Sequence, residues 1–543
     1  MGPPLLQVRD LTVEYAGREG KATTPVNGVS FDVRPGEIVG LLGESGSGKT
    51  TLALSLLRLV PRAASIVRGS VRFRGAELLG LREKDLQNVR GNRISMIFQE
   101  PGISLNPVLR VGEQVVDVVR AHRQWSKMRA RREAKAVMRE VKLPEGDLAR
   151  IWDAYPHQLS GGQLQRVAIA LALACRPDLV IADEPTASLD ARVQAEVLGV
   201  LKELNQRLQM SILLISHNPA VLASMADRVL VFGQGRIVEE CTPARICEHR
   251  ASSYTQGLLE RVEEVKGKTT DSRENAPLAE VRELSKRYTQ RDWFTPRVVH
   301  ALDGVNLTIR RGETLALVGE SGSGKTTLAR CLACLEVPSA GKIVFDSRDV
   351  GSLGAQTRVE LCRQIQLIFQ DAASSLNPRF TAVEAVAEPL VILRRDSTRS
   401  ELRERALELM RQVGLAAEWG CRSPLEFSGG ERQRLAIARA LAVEPRLLIF
   451  DEALSGLDIP VQEQILRLLS QLQEVHALTY VYIAHDLTLV ERVADRVAVM
   501  RAGRVVEEGP VDEVFANPQY EYTRRLMGAT PLLEAAHFAT VSA

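Results

Sequence analysis

The sequence lacks any long hydrophobic run, since no stretch of about 18 consecutive apolar residues occurs in its 543 residues. It also lacks an excess of charge of either sign, with 70 basic and 67 acidic residues, and it has only seven cysteines, an odd number. These absences argue against a membrane-spanning chain, give no reason to expect nucleic acid as the main partner, and make a disulfide framework unexpected. A reducing cytosol is the natural setting, and any membrane association would be by docking.

The sequence does contain a repeat. The letters GESGSGKTTLA occur at Gly43–Ala53 and again at Gly319–Ala329. Other motifs recur in the same order about 270 residues later: IFQ ends at Gln99 and Gln370, SGG starts at Ser160 and Ser428, and Asp-Glu starts at Asp183 and Asp451. We therefore predict a tandem duplication, with domain 1 at residues 1–262, a polar and charged linker at 263–277, domain 2 at 278–530 and a C-terminal tail at 531–543.

Apolar runs rich in Val, Ile and Leu precede the motifs, such as EIVGLLG before the first GESGSGKT and LVIAD ending at Asp183. Continuous apolar runs are typical of strands in a parallel sheet that helices bury on both faces. Such sheets bind ligands at the carboxyl ends of their strands, which is where each motif would lie. Between Gln99 and Ser160, and in the matching part of the second half, the spacing becomes helical. We predict an α/β fold with a small helical subdomain in each half.

The two GESGSGKT segments satisfy the phosphate-loop pattern, in which glycines let backbone N–H groups face a phosphate chain at a helix N-terminus. The lysine would add a charge against the β- and γ-phosphates, and the threonine after it would offer a hydroxyl to Mg²⁺. The predicted phosphate-binding residues are Gly43, Glu44, Ser45, Gly46, Ser47, Gly48, Lys49, Thr50 and Thr51, and Gly319, Glu320, Ser321, Gly322, Ser323, Gly324, Lys325, Thr326 and Thr327, with Thr50 and Thr326 also predicted as Mg²⁺ ligands.

Polar residues at other strand ends complete the predicted site. An aspartate there can hold Mg²⁺, and the following glutamate can polarise an attacking water, although an isolated Asp-Glu is as often a helix cap. A glutamine or histidine at a strand end is usually an ordinary polar residue, and here repetition favours function. The candidates are Asp183 and Asp451 for Mg²⁺, Gln99 and Gln370 for Mg²⁺, Glu184 and Glu452 for water, and His217 and His485 for phosphate and water.

A second anion-binding segment occurs in each half, where LSGGQLQR and FSGGERQR place Ser-Gly-Gly ahead of a helix. Each half already has a phosphate loop, so this segment makes sense only if it serves a different nucleotide. Tyr15 and Tyr288 precede the loops and are candidates for stacking on adenine. The predicted residues of the second segment are Ser160, Gly161, Gly162 and Gln163, and Ser428, Gly429, Gly430 and Glu431.

The ordered set of phosphate loop, Gln, LSGGQ-like signature, Asp-Glu and His resembles the ATP-binding cassette of ABC transporters, twice over nearly the whole chain. The resemblance implies two P-loop NTPase domains, each with a mostly parallel core sheet, an antiparallel β part and a helical subdomain, and it implies ATP and Mg²⁺ as cofactors. Cassettes of that family meet head to tail, so Lys49 would face Ser428–Gly430 and Lys325 would face Ser160–Gly162 within this one chain.

Finer resemblance to the ATPases of dipeptide, oligopeptide and nickel importers lies in EPGISLNPVLRVGEQV, YPHQLSGG, SYTQGLL and YTRRLM. Members with two fused cassettes include the glutathione-type importers. This subgroup implies an ATPase at the cytoplasmic face of the inner membrane that drives import of peptides or related small solutes. It also implies two integral-membrane permease subunits and an extracytoplasmic solute-binding protein as partners. The chain departs from the family at Ala453, where Pro is usual, and at Asn218, where Asp is usual, and neither change removes a phosphate-facing group.

Two other functions stay open at this point. One is a twin-cassette ATPase that acts on ribosomes or in regulation, although such proteins usually carry a longer, strongly charged linker. The other is an exporter ATPase. The SLNP segments favour a transporter. The motifs do not identify its cargo, because the residues in them would bind ATP and the permease.

Overall fold

The computed structural model describes residues 2–16, 22–44, 46–143, 145–186, 189–247, 255, 276–291, 296–352, 355–370, 372–393, 398–454, 457, 459–484 and 486–528. They form two compact units, with nearly all of those up to residue 255 in the first and those from residue 276 in the second. The predicted linker at 263–277 lies outside the described residues except for its last two positions, so the predicted boundaries stay predictions. In the described part of the chain, none of the helices has the length and apolar character of a membrane span.

Among its described residues, the first unit contains ten strands and a set of helices in the order that the apolar runs predict. The strands are β1 (Leu6–Tyr15), β2 (Thr23–Val33), β3 (Ile38–Leu42), β4 (Ala64–Phe73), β5 (Ala76–Glu77), β6 (Ile94–Ile97), β7 (Leu179–Asp183), β8 (Ser211–Ser216), β9 (Arg228–Gly233) and β10 (Arg236–Cys241). The described α-helices are Lys49–Leu56, Glu83–Gln87, Val111–His122, Lys127–Glu140, Leu148–Asp153, Gly161–Leu173, Ala191–Leu208, Pro219–Met225 and Pro243–Cys247.

The second unit repeats this order. Its strands are β11 (Pro277–Arg291), β12 (Pro296–Arg310), β13 (Thr314–Val318), β14 (Ala340–Phe345), β15 (Arg348–Asp349), β16 (Ile365–Ile368), β17 (Leu447–Asp451), β18 (Thr479–Ile483), β19 (Arg496–Arg501) and β20 (Arg504–Pro510). The described α-helices are Lys325–Leu332, Ala355–Gln364, Ala372–Ser375, Ala382–Leu393, Arg399–Gln412, Gly429–Leu441, Ile459–His476, Leu487–Val493, Val511–Ala516 and Glu521–Gly528.

Each unit has a six-stranded sheet and a four-stranded sheet. The first six-stranded sheet has the order β10-β9-β3-β8-β7-β6, and the second has β16-β17-β18-β13-β19-β20, which is the same arrangement. All neighbours in it pair in parallel except the antiparallel pairs β9–β10 and β19–β20. The four-stranded sheets, β2-β1-β4-β5 and β12-β11-β14-β15, are antiparallel. The predicted duplication and the predicted mostly parallel core sheet are confirmed.

The central strands are buried along their whole length, as continuous apolar runs predict for a sheet covered on both faces. Every residue of β3, β7 and β8 is buried, and so is every residue of β13, β17 and β18. The register of these strands levels their carboxyl ends, since Leu42 pairs with Ser216 and Asp183 with Ile215. In the second unit Asp451 likewise pairs with Ile483. The motifs that follow these strands therefore leave the sheet side by side.

The helical subdomain of each unit is built on amphipathic sequence. In the helix Lys127–Glu140 the buried residues are Ala130, Ala134, Val137 and Met138, which recur at helical spacing. Ser126 caps this helix by accepting a hydrogen bond from the Arg129 N–H, and Thr398 caps the matching helix Arg399–Gln412 in a capping box with Glu401. The predicted helices in this region are confirmed.

In each unit an ion pair joins the residue before the strand that leads to the phosphate loop to the first residue of a neighbouring strand, β9 or β19. Glu313 accepts from the Arg310 N–H at 2.6 Å and from Arg496 Nη1 at 2.9 and 3.0 Å, and its side chain is 7% exposed. In the first unit Glu37 accepts from the Arg34 N–H at 2.8 Å and from Arg228 Nε at 2.7 Å. Because the carboxylate serves a turn and a guanidinium together, we expect its removal to leave a buried, partly uncompensated cation.

The variant Glu313→Ala tests this pair. Removing one partner of a buried ion pair costs about 3 kcal/mol, so the free energy of unfolding of the second unit should fall by that amount. Chemical denaturation measures the change. The matched control is Glu521→Ala, because Glu521 pairs with Arg525 with both side chains more than 70% exposed. Surface pairs of this kind contribute about 0.5 kcal/mol, and an equal loss in the two variants would contradict the expectation.

Candidate nucleotide site

The first phosphate loop joins β3 to the helix Lys49–Leu56. Gly48 lies just before the helix with φ of 108°, a left-handed conformation that side chains rarely adopt. A Cβ on Gly48 would also lie 2.0 Å from the Pro25 carbonyl oxygen, so only glycine fits. Lys49 is buried, and its ammonium donates to the carbonyl oxygens of Gly43 and Glu44, both at 2.7 Å. Ser45 lies outside the described residues.

The second loop has the same geometry between β13 and the helix Lys325–Leu332. Gly324 precedes the helix with φ of 107°. The Lys325 ammonium donates to the carbonyl oxygens of Gly319 and Glu320 at 2.7 and 2.9 Å. Burial lowers the pKa of Lys325, although the carboxylates of Glu452 and Asp451 oppose that effect. A helix N-terminus with a buried cation beside it is a site for an anion.

The aspartates at the ends of β7 and β17 lie beside the loop threonines. Asp451 Oδ1 accepts from the Thr326 hydroxyl at 3.0 Å, and Asp183 accepts a hydrogen bond from Thr50. Burial raises the pKa of both aspartates, with the following glutamate raising it further and the threonine hydrogen bond opposing. A bound divalent cation would oppose that rise, since its charge favours the carboxylate.

The glutamates after these aspartates have an uncommon backbone. Glu184 and Glu452 have φ of 47° and 50°, which is the left-handed region for residues that carry a Cβ. Their N–H groups donate to the carbonyl oxygens of Ile215 and Ile483, at 2.9 and 3.1 Å. This hydrogen bond holds each glutamate back against the neighbouring strand. The same strained conformation at the same position of both units points to a functional requirement.

The Glu184 carboxylate is held by residues from two other strand ends. Its Oε1 lies 2.8 Å from His217 Nδ1, and its Oε2 accepts from Gln99 Nε2 at 3.4 Å. Burial alone would raise the pKa of Glu184, but the hydrogen bond and charge of His217 and the charge of Lys49 outweigh it and lower the pKa. Glu184 is therefore an anion at neutral pH. The first unit thus brings four predicted residues together, while His485 of the second lies outside the described residues.

The signature segments begin helices, as the sequence predicts. Ser160 caps the helix Gly161–Leu173 in a capping box with Gln163, and Ser428 caps the helix Gly429–Leu441 in one with Glu431. The second glycine of each signature is sterically required, because a Cβ on Gly162 would lie 2.7 Å from Val193 Cγ1 and one on Gly430 would lie 2.3 Å from Val461 Cγ1. Ser160 and Ser428 are exposed, so their helix N-termini are accessible.

The predicted glutamines and tyrosines lie at the margins of the site. Gln99 and Gln370 are exposed just beyond β6 and β16. The Tyr15 hydroxyl lies 3.5 Å from Thr51 Oγ1, next to the first loop. The Tyr288 ring has the Lys286 ammonium 5.0 Å from its centroid, so stacking on adenine would use the other face or displace this lysine.

The residues present fit a nucleoside triphosphate with a hard divalent cation. Thr50, Asp183 and Gln99 supply the hydroxyl, carboxylate and amide oxygens that Mg²⁺ prefers, and Thr326, Asp451 and Gln370 match them in the second unit. Ser47 Oγ is buried without a hydrogen-bond partner and lies within the first loop, so it is available to a ligand oxygen. Sequence reasoning did not find Tyr522, whose hydroxyl accepts from the Glu320 N–H of the second loop at 3.0 Å.

Comparison with known proteins gives three kinds of match: family models, a solved structure and similar proteins. The family model described as ABC transporter matches residues 26–187 and 302–455, and the model described as oligopeptide/dipeptide transporter, C-terminal region, matches residues 506–539. A shorter match, to an AAA domain, covers residues 152–223. A solved ATP-binding cassette, a dimer in a post-hydrolysis state bound to ADP and Pi, is 32% identical over 43% of this chain and 98% of its own, with a TM-score of 0.39.

Two relatives match along most of both chains, and their names state a function. The chain is 40% identical to the glutathione import ATP-binding protein of Pectobacterium atrosepticum, over 98% of this chain and 90% of the relative. It is 42% identical to the peptidoglycan transport ATP-binding protein of Agrobacterium fabrum, over 99% of this chain and 98% of the relative.

The pair of His217 and Glu184 has a consequence for pH dependence. In the variant His217→Ala the hydrogen bond and charge that lower the Glu184 pKa are lost while burial stays, so that pKa should rise. If Glu184 acts as an anion, the acid limb of the pH–rate profile of ATP hydrolysis should move to higher pH. The control is His157→Ala, since His157 is exposed and stacks on Tyr155. An acid limb at the wild-type pH would contradict the role of His217.

The departure at Asn218 is explained by capping. Asn218 Oδ1 accepts from the Ala220 N–H at 2.9 Å, just as Asp486 Oδ1 accepts from the Thr488 N–H at 3.0 Å. An amide oxygen caps a helix about as well as a carboxylate, so Asn218→Asp should leave stability nearly unchanged. Asn218→Ala should lower the free energy of unfolding of the first unit by about 1 kcal/mol. Denaturation of both variants decides this, and equal losses would refute the capping role.

Proposed function

The chain belongs to the ABC transporter family of ATP-binding proteins, and from that premise we propose that it hydrolyses ATP to drive import of peptides or related small solutes through separate membrane permeases. Two observations together support this most: each unit has a phosphate loop with an aspartate and a glutamate beside it, and residues 506–539 match the oligopeptide/dipeptide transporter model. The phosphate loops and carboxylates by themselves would support only ATP binding. The C-terminal match narrows the proposal to the peptide-importing group.

The cargo class follows from what the two relatives have in common. One relative imports glutathione and the other transports peptidoglycan, by their names. Glutathione is a short peptide, and peptidoglycan carries peptide stems. We therefore propose solutes that contain amide-linked amino acids.

The residues of each proposed ATP site have distinct roles. Lys49 and Lys325 bind the β- and γ-phosphates together with the backbone N–H groups of their loops. Thr50, Asp183 and Gln99, and Thr326, Asp451 and Gln370, would hold Mg²⁺, which would neutralise charge on the phosphate oxygens. Glu184 and Glu452 orient an attacking water, and the anionic state of Glu184 suits it to accept a hydrogen bond from that water. His217 fixes the Glu184 carboxylate, and His485 is proposed for the same task.

The signature residues are proposed to complete the opposite ATP site, as the family resemblance implies. Their exposed, capped helix N-termini suit them to contact an anion. Two permease subunits and a solute-binding protein outside the cell are the proposed partners. The proposed location is the cytoplasmic face of the inner membrane.

The double variant Lys49→Ala, Lys325→Ala tests the two ATP sites together. Loss of a preorganised charge at a transferring phosphate lowers the rate by roughly 100-fold or more, so ATP hydrolysis should fall to the background level. The assay is phosphate release by the purified chain, alone and with membranes that contain the permeases. Its control is Lys127→Ala, Lys342→Ala, which removes two exposed lysines, one from each unit.

Normal turnover in the first double variant would refute the assignment of both lysines. Import is tested separately by uptake of labelled glutathione and a labelled dipeptide into cells with and without the gene. Hydrolysis without any effect of the gene on uptake of either peptide would refute the cargo proposal and leave the ATP sites standing.

A further inference from the structure

A buried glutamate ties the segment after the last strand of the second unit to the sheet. Glu507 lies on β20 and is 8% exposed. Its carboxylate accepts from the Thr523 hydroxyl, from the Gln519 N–H at 2.8 Å and from the Tyr520 N–H at 3.4 Å. Thr523 is 1% exposed and lies on the helix Glu521–Gly528. One carboxylate thus fixes both the start of this helix and the turn before it.

The anchored helix directs one side chain at the second phosphate loop. The Tyr522 hydroxyl accepts from the Glu320 N–H at 3.0 Å and lies 3.5 Å from the Met500 carbonyl oxygen, to which it can donate. The Arg501 guanidinium lies 5.0 Å from the centroid of the Tyr522 ring. Burial raises the pKa of Tyr522, so the hydroxyl is neutral and can donate and accept at once.

The contacted N–H belongs to the same peptide group as a carbonyl that binds the loop lysine. The Gly319 carbonyl oxygen accepts from Lys325 Nζ at 2.7 Å, while the N–H at the other end of that peptide bond is the one bound by Tyr522. Hydrogen bonds at both ends of a peptide group polarise one another and fix the orientation of its plane. The Met500 backbone packs closely against this peptide group, because a Cβ on Gly319 would lie 2.2 Å from the Met500 carbonyl oxygen.

We propose that Tyr522 is a positioning residue for ATP binding: it fixes the Gly319–Glu320 peptide group and thereby the position of the Lys325 ammonium that binds the phosphates. The proposal rests on the proposed function of the second loop as an ATP site. It makes the helix Glu521–Gly528 part of the nucleotide site.

The first unit repeats the anchor. Thr255 is fully buried and donates to Glu239 Oε2 at 2.6 Å, as Thr523 does to Glu507. A Tyr-Thr pair occurs at 254–255 and again at 522–523. Tyr254 lies outside the described residues, so the inference is made for Tyr522 alone.

Tyr522→Phe tests the proposal, because it removes the hydroxyl and keeps the ring beside Arg501. Binding is measured by fluorescence of a methylanthraniloyl ATP analogue in the Lys49→Ala background, where only the second loop retains its lysine. A net hydrogen bond of ordinary strength corresponds to about a 5-fold change, so the Kd for the analogue should rise by about that factor. In the otherwise wild-type chain, KM for ATP should rise while kcat at saturating ATP stays within about 2-fold.

The matched control is Tyr520→Phe. Tyr520 is 53% exposed, lies on the same segment, and donates to Glu507 from its backbone N–H. It should leave Kd and KM at their wild-type values. An unchanged Kd in Tyr522→Phe, or an equal rise in both variants, would overturn the positioning role. A lower melting temperature with unchanged Kd would mean that the hydroxyl serves stability alone, which also overturns it.

The failure of the proposed function gives a different result. If Lys49→Ala binds the analogue no better than Lys49→Ala, Lys325→Ala, the second loop does not hold ATP. That outcome refutes the ATP-site assignment, and the inference about Tyr522 falls with it.

Discussion

The parallel pairing of three central strands is the constraint on which both sites depend. β3, β8 and β7 end level with one another, and so do β13, β18 and β17. The residues that follow these strands therefore lie close together, and no long loop has to fold over the sheet to bring their side chains into contact. A shift of one residue in any of these pairings would move a carboxylate by about 3.3 Å. The hydrogen bonds that join Thr326 to Asp451 and His217 to Glu184 leave no room for such a shift.

Because of the duplication, the two units can be compared position by position. The comparison shows which residues are the same in both sites and which differ. The loop lysines, the threonine–aspartate pairs and the left-handed glutamates are the same in both units. The helix cap differs, Asn218 in one and Asp486 in the other, and both side chains supply the same acceptor oxygen. The chemistry of an acceptor is conserved between the units, while its charge is not.

The sequence was sufficient to predict the fold and most of the candidate site, because those features follow from local patterns. Apolar runs predicted the buried strands, and the phosphate-loop pattern predicted the turn before Lys49 and before Lys325. The left-handed backbone of Glu184 was not predictable, since the hydrogen bond that holds it comes from Ile215 on another strand. Tyr522 was missed for a similar reason. Its segment was noticed as a family feature, but only tertiary packing brings its hydroxyl to Glu320, about 200 residues earlier in the chain.

The carbonyl oxygens that hold Lys49 and Lys325 affect how the site would respond to its surroundings. Each ammonium already donates to two of them at 2.7 to 2.9 Å, so its position is set before any nucleotide arrives. A phosphate would add the attraction of opposite charge. Because both lysines are buried, salt screens that attraction much less than it screens an exposed ion pair. The contribution of these lysines to nucleotide binding would then change little with ionic strength, and each lysine would keep both carbonyl partners after the spent nucleotide leaves.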